Sequence, residues 1–226
     1  MAIRTKLRDR ILPNYTRGEE IFNMSSHIAG GGLALLALLA CVAVAAWRRN
    51  PWDVASGIIY GATLILLYTM SSLYHGLRPE IPKKVFQVID HCAIFFLIAG
   101  TYTPIAFGRF REMYPTISWA MFAFMWGACL LCVTLNAIDL HKFQIISMIG
   151  YIALGWCVVV FSKQIIRAIT LPLFLWLLAG GISYTIGSVL YLLGKKRKWM
   201  HPVFHMFVIL GSVLHFVCIL LCFIRH

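Results

Sequence analysis

Apolar residues fall in seven long runs, at approximately 28 to 47, 54 to 75, 87 to 107, 117 to 135, 144 to 161, 171 to 193 and 203 to 224. A helix needs roughly 20 mainly apolar residues to cross the hydrocarbon core of a bilayer, and each run is long enough. Helix breakers and charge separate the runs: Arg48, Arg49, Asn50 and Pro51 after the first, Pro79 and Pro82 after the second, and the stretch from Arg109 to Pro115 after the third. Pro172 and Pro202 fall in the first turn of the sixth and seventh runs, where the missing N–H costs nothing. The pattern predicts an all-α fold: an integral membrane bundle of seven transmembrane helices. Residues 1–27 read as a short basic segment leading into the first helix, and 28–226 as a single transmembrane domain.

Composition agrees, since 61% of the 226 residues are hydrophobic and only 12% charged, too little polar surface for a water-soluble globule of this size. A cleaved signal peptide is the competing reading of the first run, but that run is longer than a usual signal core. All seven cysteines lie inside apolar runs, which reads as burial of small hydrophobes rather than a disulfide framework. Cys129 and Cys132 form a CxxC in mid-run with no second pair, a poor setting for redox or metal chemistry. Gly57 and Gly61 form a GxxxG that packing inside the bundle explains better than a dimer face.

The net charge of +12 does not point to nucleic acid, because the basic residues sit between apolar runs instead of alternating with exposed aromatics. They follow membrane topology instead. The N-terminal segment and the loops after the second, fourth and sixth runs hold 13 Lys and Arg, against 7 in the alternate set. The positive-inside rule then places the N-terminus in the cytoplasm and the C-terminus outside.

Polar residues inside membrane helices are costly and mark functional positions by default. Here they gather at one end of the bundle. Glu20, Asn23 and His27 open the first helix, Ser71 and His75 close the second, Asp90 and His91 open the third, and His201 and His205 open the seventh. Given alternating helix directions, all of these ends face the cytoplasm. His201 and His205 are four residues apart and share one helix face, the arrangement that lets two imidazoles bind one metal. With a third histidine and a carboxylate at the same depth, the set points to zinc, whose fourth position stays open to water at catalytic sites. Asp90 would ligate directly or hold that water. His91 reads as a packing or supporting residue, and Glu20 and Asn23 serve equally well as supports or as complements of the helix dipole. His215 lies ten residues past His205, about 15 Å along a helix, too deep for the same site. His141 and His226 carry no signal.

Several short motifs, taken in order, carry a resemblance: Glu20-x-x-Asn23-x-x-x-His27, Ser71-x-x-Tyr74-His75, Asp90-His91 followed by Ala99-Gly100-Thr101-Tyr102-Thr103-Pro104, and His201-x-x-x-His205 with His215-Phe216. From about residue 18 onward the chain resembles the haemolysin III branch of the progestin and adipoQ receptor family. The resemblance implies seven helices with a cytoplasmic N-terminus, zinc held by His75, His201 and His205, Asp90 reaching the metal through water, and Ser71 nearby. Relatives in the wider superfamily include alkaline ceramidases, which implies a zinc-dependent hydrolase of a lipid or fatty acyl amide, with Asp90 and Ser71 as its catalytic residues. Its partner would be the lipid bilayer of the cell membrane, with no nucleic acid. The alternative is a zinc-stabilised membrane sensor or receptor, or a membrane-perturbing protein without catalysis. Few polar residues lie in the outer half of the bundle, which argues against a pore.

Overall fold

The computed structural model describes residues 5–226; Arg4, counted among the N-terminal cations above, lies outside them. Its helices are α1 (Arg17–Trp47), α2 (Pro51–Gly76), α3 (Glu80–Phe107), α4 (Arg109–Met113), α5 (Pro115–Asp139), α6 (Gln144–Gly155), α7 (Ser162–Ile169), α8 (Leu171–Gly194) and α9 (Met200–Arg225). There is no strand among the described residues. The helices α1, α2, α3, α5, α8 and α9 are each long and apolar enough to cross a membrane, and α6 with α7 supplies a seventh span when the bent pair is taken as one. Large apolar side chains such as Leu35, Leu36, Leu130 and Leu131 point outward, as they must where the surrounding solvent is lipid. The chain is an integral, multi-pass membrane protein.

Two helices, α1 and α3, start more than a turn before their apolar runs do. Thr16 accepts the Glu19 N–H and Glu19 accepts the Thr16 N–H, a capping box that sets the start of α1 at Arg17. Pro82, which reads as a breaker in sequence, lies in the first turn of α3, where it is tolerated.

The fifth apolar run also departs from expectation. Instead of one helix over 144 to 161, α6 stops at Gly155, a 3-10 turn spans Trp156–Val159, and the chain bends by 59° into α7. Broken backbone at membrane depth needs its polar groups satisfied by protein. Tyr102 of α3 does this from the side: its hydroxyl donates to the Gly155 carbonyl at 3.0 Å and accepts the Val158 N–H at 2.7 Å.

The long helices pack in a row, α5 on α3, α3 on α2, α2 on α1, α1 on α9 and α9 on α8, and the bent α6–α7 pair bridges α5 to α8. One apolar core joins α1, α2, α3 and α9; the other joins α3 to α5, α6, α7 and α8. The GxxxG belongs to the first core. A Cβ on Gly61 would stand 2.6 Å from Leu38 Cβ, and one on Gly57 3.1 Å from the Phe223 ring, so these glycines admit α1 and α9 into contact with α2. Between the two cores lies a cavity of about 290 Å³.

Candidate metal centre

The starts of α1, α3 and α9 and the end of α2 meet at one face of the bundle, and specific bonds set their relative heights. Glu19 Oε1 accepts the backbone N–H of Trp199 at 2.6 Å, tying α1 to the residue that precedes α9. Trp199 has φ 66°, a left-handed conformation that a bulky side chain adopts only when its surroundings hold it there. Lys83 of α3 donates to the Tyr74 and Leu77 carbonyls at the end of α2 and pairs with Glu20 of α1 at 2.9 Å.

Within this frame His75, His201 and His205 are all buried, and one ligating atom from each lies within 4.8 Å of the other two. His201 and His205 face each other one helical turn apart with their Nε2 atoms at 3.0 Å. His75 arrives from α2 with its Nδ1 held by Glu20 Oε2 at 2.6 Å and its Nε2 buried without a partner. A carboxylate on one ring nitrogen fixes the tautomer and leaves the lone pair of the other free for a metal. Buried imidazole nitrogens normally find hydrogen-bond partners. That His75 Nε2 has none, while the Nε2 atoms of His201 and His205 turn toward each other beside it, suits a cluster built to hold an ion. The three histidines could therefore hold a metal ion.

The other histidines sort by depth and partner. His27 stacks on His205 at 3.8 Å between ring centroids and supports it from the flank, outside the converging set. The Asn23 side-chain amide lies 3.5 Å from His75 Nδ1, beside Glu20. His91 bonds to the Gln87 carbonyl and the Tyr191 hydroxyl. His215 donates to the Leu177 carbonyl at 3.0 Å, deep in the bundle. Asp90 and Ser71 are neighbours and line the cavity that His201 and His205 also face. The residues singled out in sequence are thus brought to one place, although nothing in the arrangement itself assigns Asp90 or Ser71 a chemical step.

Two contributors escaped the sequence. Glu19 positions α9 from the first turn of α1; the Thr16-x-x-Glu19 capping box was the available signal. Tyr15 lies over the cluster, its ring 4.7 Å from His201 and 5.8 Å from His75. Burial pushes its phenol well above the ordinary value, so the ring stays neutral. The N-terminal segment is therefore wall as well as tether: Arg10, Pro13 and Tyr15 all line the cavity. At the opposite end His226, silent in sequence, joins Asp53 at 2.8 Å and Glu112 at 3.1 Å.

The cavity runs inward from this face. It reaches from Gln144 to Gly155 along α6 and from His201 to His215 along α9, about 21 Å of helix for the latter at ~1.5 Å per residue. Leu67, Ile94, Leu97, Ile98, Met148 and Val208 make much of its wall apolar.

Fold and site together define an integral membrane helical bundle that carries a buried triple-histidine cluster at one face and an apolar cavity leading from it. Residues 15–216 match the family model described as Haemolysin-III related, and the chain belongs to that family. It is 32% identical to the Hemolysin-3 homolog of Bacillus subtilis (strain 168), over 91% of this chain and 95% of the relative. It is 33% identical to Hemolysin-3 of Bacillus cereus, over 89% and 90%. The human Monocyte to macrophage differentiation factor is 22% identical over 74% of this chain and 70% of its own length. No solved structure matches the chain.

Proposed function

We propose that the protein is a membrane-embedded, zinc-dependent hydrolase of a lipid or fatty acyl amide, acting at the cytoplasmic face. The observation that supports this reading is the convergence of three buried imidazoles, two of which, His201 and His205, line a deep, largely apolar cavity. The cytoplasmic assignment rests on the 13 to 7 excess of Lys and Arg.

Three neutral nitrogen ligands suit zinc, which when bound at His75, His201 and His205 supplies a Lewis acid and lowers the pKa of a water toward ~7. The chain's own residues supply the rest. Glu20 and Lys83 hold His75 in one tautomer and one orientation. Asp90 would orient the attacking water, accept its proton and return it to the departing amine nitrogen as the C–N bond breaks. Ser71, one turn from His75, donates either to the developing oxyanion or to Asp90. The apolar wall keeps the acyl chain in a lipid-like environment while the polar head reaches the histidines, and Tyr15 covers the site from the aqueous side.

The test pairs metal content with turnover. Purified protein should hold about one zinc per chain, the metal should raise its thermal stability, and His201→Ala with His205→Ala should abolish both effects. Asp90→Asn should keep most of the zinc but lose hydrolysis of a long-chain amide such as ceramide. Full zinc in the double variant rejects the ligand assignment. Zinc-dependent stability without turnover on a lipid-amide panel assigns the site to a sensor.

A further inference from the structure

The mouth of the cavity has a chemistry that an acyl amide site alone does not require. Arg10 is 92% buried, counting from its 8% exposure, and lines the cavity with its Nε lacking any hydrogen-bond partner. A buried guanidinium with an unused donor is costly. Asp139 is close enough to feel its charge, but the Asp139 oxygens accept the backbone N–H groups of Thr5 and Lys142 at 2.7 and 3.1 Å. Lys195 lines the same mouth from the end of α8, its ammonium held loosely by Gln144 Oε1 at 3.4 Å, and His141 lines it as well. The cavity's acidic lining residue, Asp90, stands further in, beside Ser71.

A basic loop is ordinary at a cytoplasmic face and needs no ligand. A basic residue withdrawn from water, turned into a cavity and left with a free donor is different, because positive-inside topology is satisfied equally well by a solvated arginine. We propose that Arg10 and Lys195 form an anion subsite at the cavity mouth, so that the amphiphile filling the cavity carries a negatively charged headgroup beyond its acyl linkage. This rests on the reading of the cavity as a lipid site and narrows its ligand to acyl compounds whose head ends in a carboxylate or phosphate. The guanidinium, with its planar fork of donors, binds the anion directly. Lys195, which lines the same cavity, adds a second positive charge from an adaptable stem.

The experiment compares two probes with the same chain and the same amide, N-palmitoylglycine and N-palmitoylglycinamide, in equilibrium binding to zinc-loaded protein in phosphatidylcholine nanodiscs. The carboxylate should bind about tenfold more tightly, the scale of one hydrogen bond to a charged group. Hexadecyl phosphate should share that preference. Arg10→Gln should remove most of the preference, leaving only the smaller part that Lys195 supplies, and binding of the glycinamide should not change. Arg10→Lys should keep part of the preference, and Lys195→Gln, at an exposed position where folding is not at stake, should reduce it by a smaller factor. Equal binding of both probes to the unaltered protein, or a preference undiminished by Arg10→Gln, overturns the subsite while leaving the lipid reading intact. Binding of neither probe overturns both.

Discussion

Glu20 Oε2 lies 2.6 Å from Nδ1 of His75, across the contact between α1 and α2, while its other oxygen pairs with Lys83 of α3 at 2.9 Å. One carboxylate thus orients a metal-type histidine and joins three helices. Glu20→Gln keeps the shape but weakens both bonds. It should lower zinc affinity by about 10- to 100-fold, the usual cost of losing such a supporting partner. Competition with a chelator of known affinity measures this, and unchanged affinity would mean that the Glu20 contact is only a helix tie.

Glu19 acts on the same site through backbone. Glu19→Ala removes the capping box and the acceptor of the Trp199 N–H. The two losses together should cost about 1–3 kcal/mol. The melting temperature in detergent should fall, and apoprotein should show the fall as clearly as zinc-loaded protein, because the cap does not depend on metal.

Tyr102→Phe isolates the break between α6 and α7. Without the hydroxyl, the Gly155 carbonyl and the Val158 N–H lose their partner inside the bundle, at about 1–3 kcal/mol for each group left unsatisfied. Amide exchange of Val158 should accelerate selectively in the variant. Uniform exchange across the chain would show that the bend is held by other contacts.

Gly181 lines the cavity, and a Cβ added there meets nothing within 4 Å. The Cβ of Gly181→Leu therefore has room, and the rest of the side chain should take up cavity space. Binding of a long acyl chain should weaken at least tenfold, while zinc content and melting temperature stay as they were. An octanoyl analogue should be less affected than a palmitoyl one if the chain runs toward His215.

Topology decides whether the site faces the cytoplasm. α1 and α9 both start at the face that carries the histidines, and seven crossings put the termini on opposite sides. Reporters fused at the N-terminus and at His226 should give opposite readings, with the N-terminal one cytoplasmic.

The membrane class and the site's location were readable from the chain because both depend on local composition. An apolar run of about 20 residues has few options besides spanning, and alternating helix directions bring Glu20, His75, Asp90 and His201 to the same end whatever the packing. The i, i+4 spacing of His201 and His205 fixes their common face before any neighbour is known. Even the exclusion of His215 follows from helical rise, and its bond to the Leu177 carbonyl agrees.

Other features required the folded chain, since each is a relation between segments that composition does not encode. The fifth run is apolar throughout, so nothing in it marks the bend; what satisfies the broken backbone is a hydroxyl on α3. Glu20 had equal claims as a dipole partner and as a support for a metal-type histidine until α1 was set beside α2. Arg10 and Tyr15 read as parts of a basic tail, and only its folding across the bundle places one at the cavity mouth and the other over the histidines. Sequence determined the solvent, the spans and the depth of the chemistry, because these are summed over many residues. Tertiary structure decided which groups are left without partners, because that depends on where single atoms from distant segments meet.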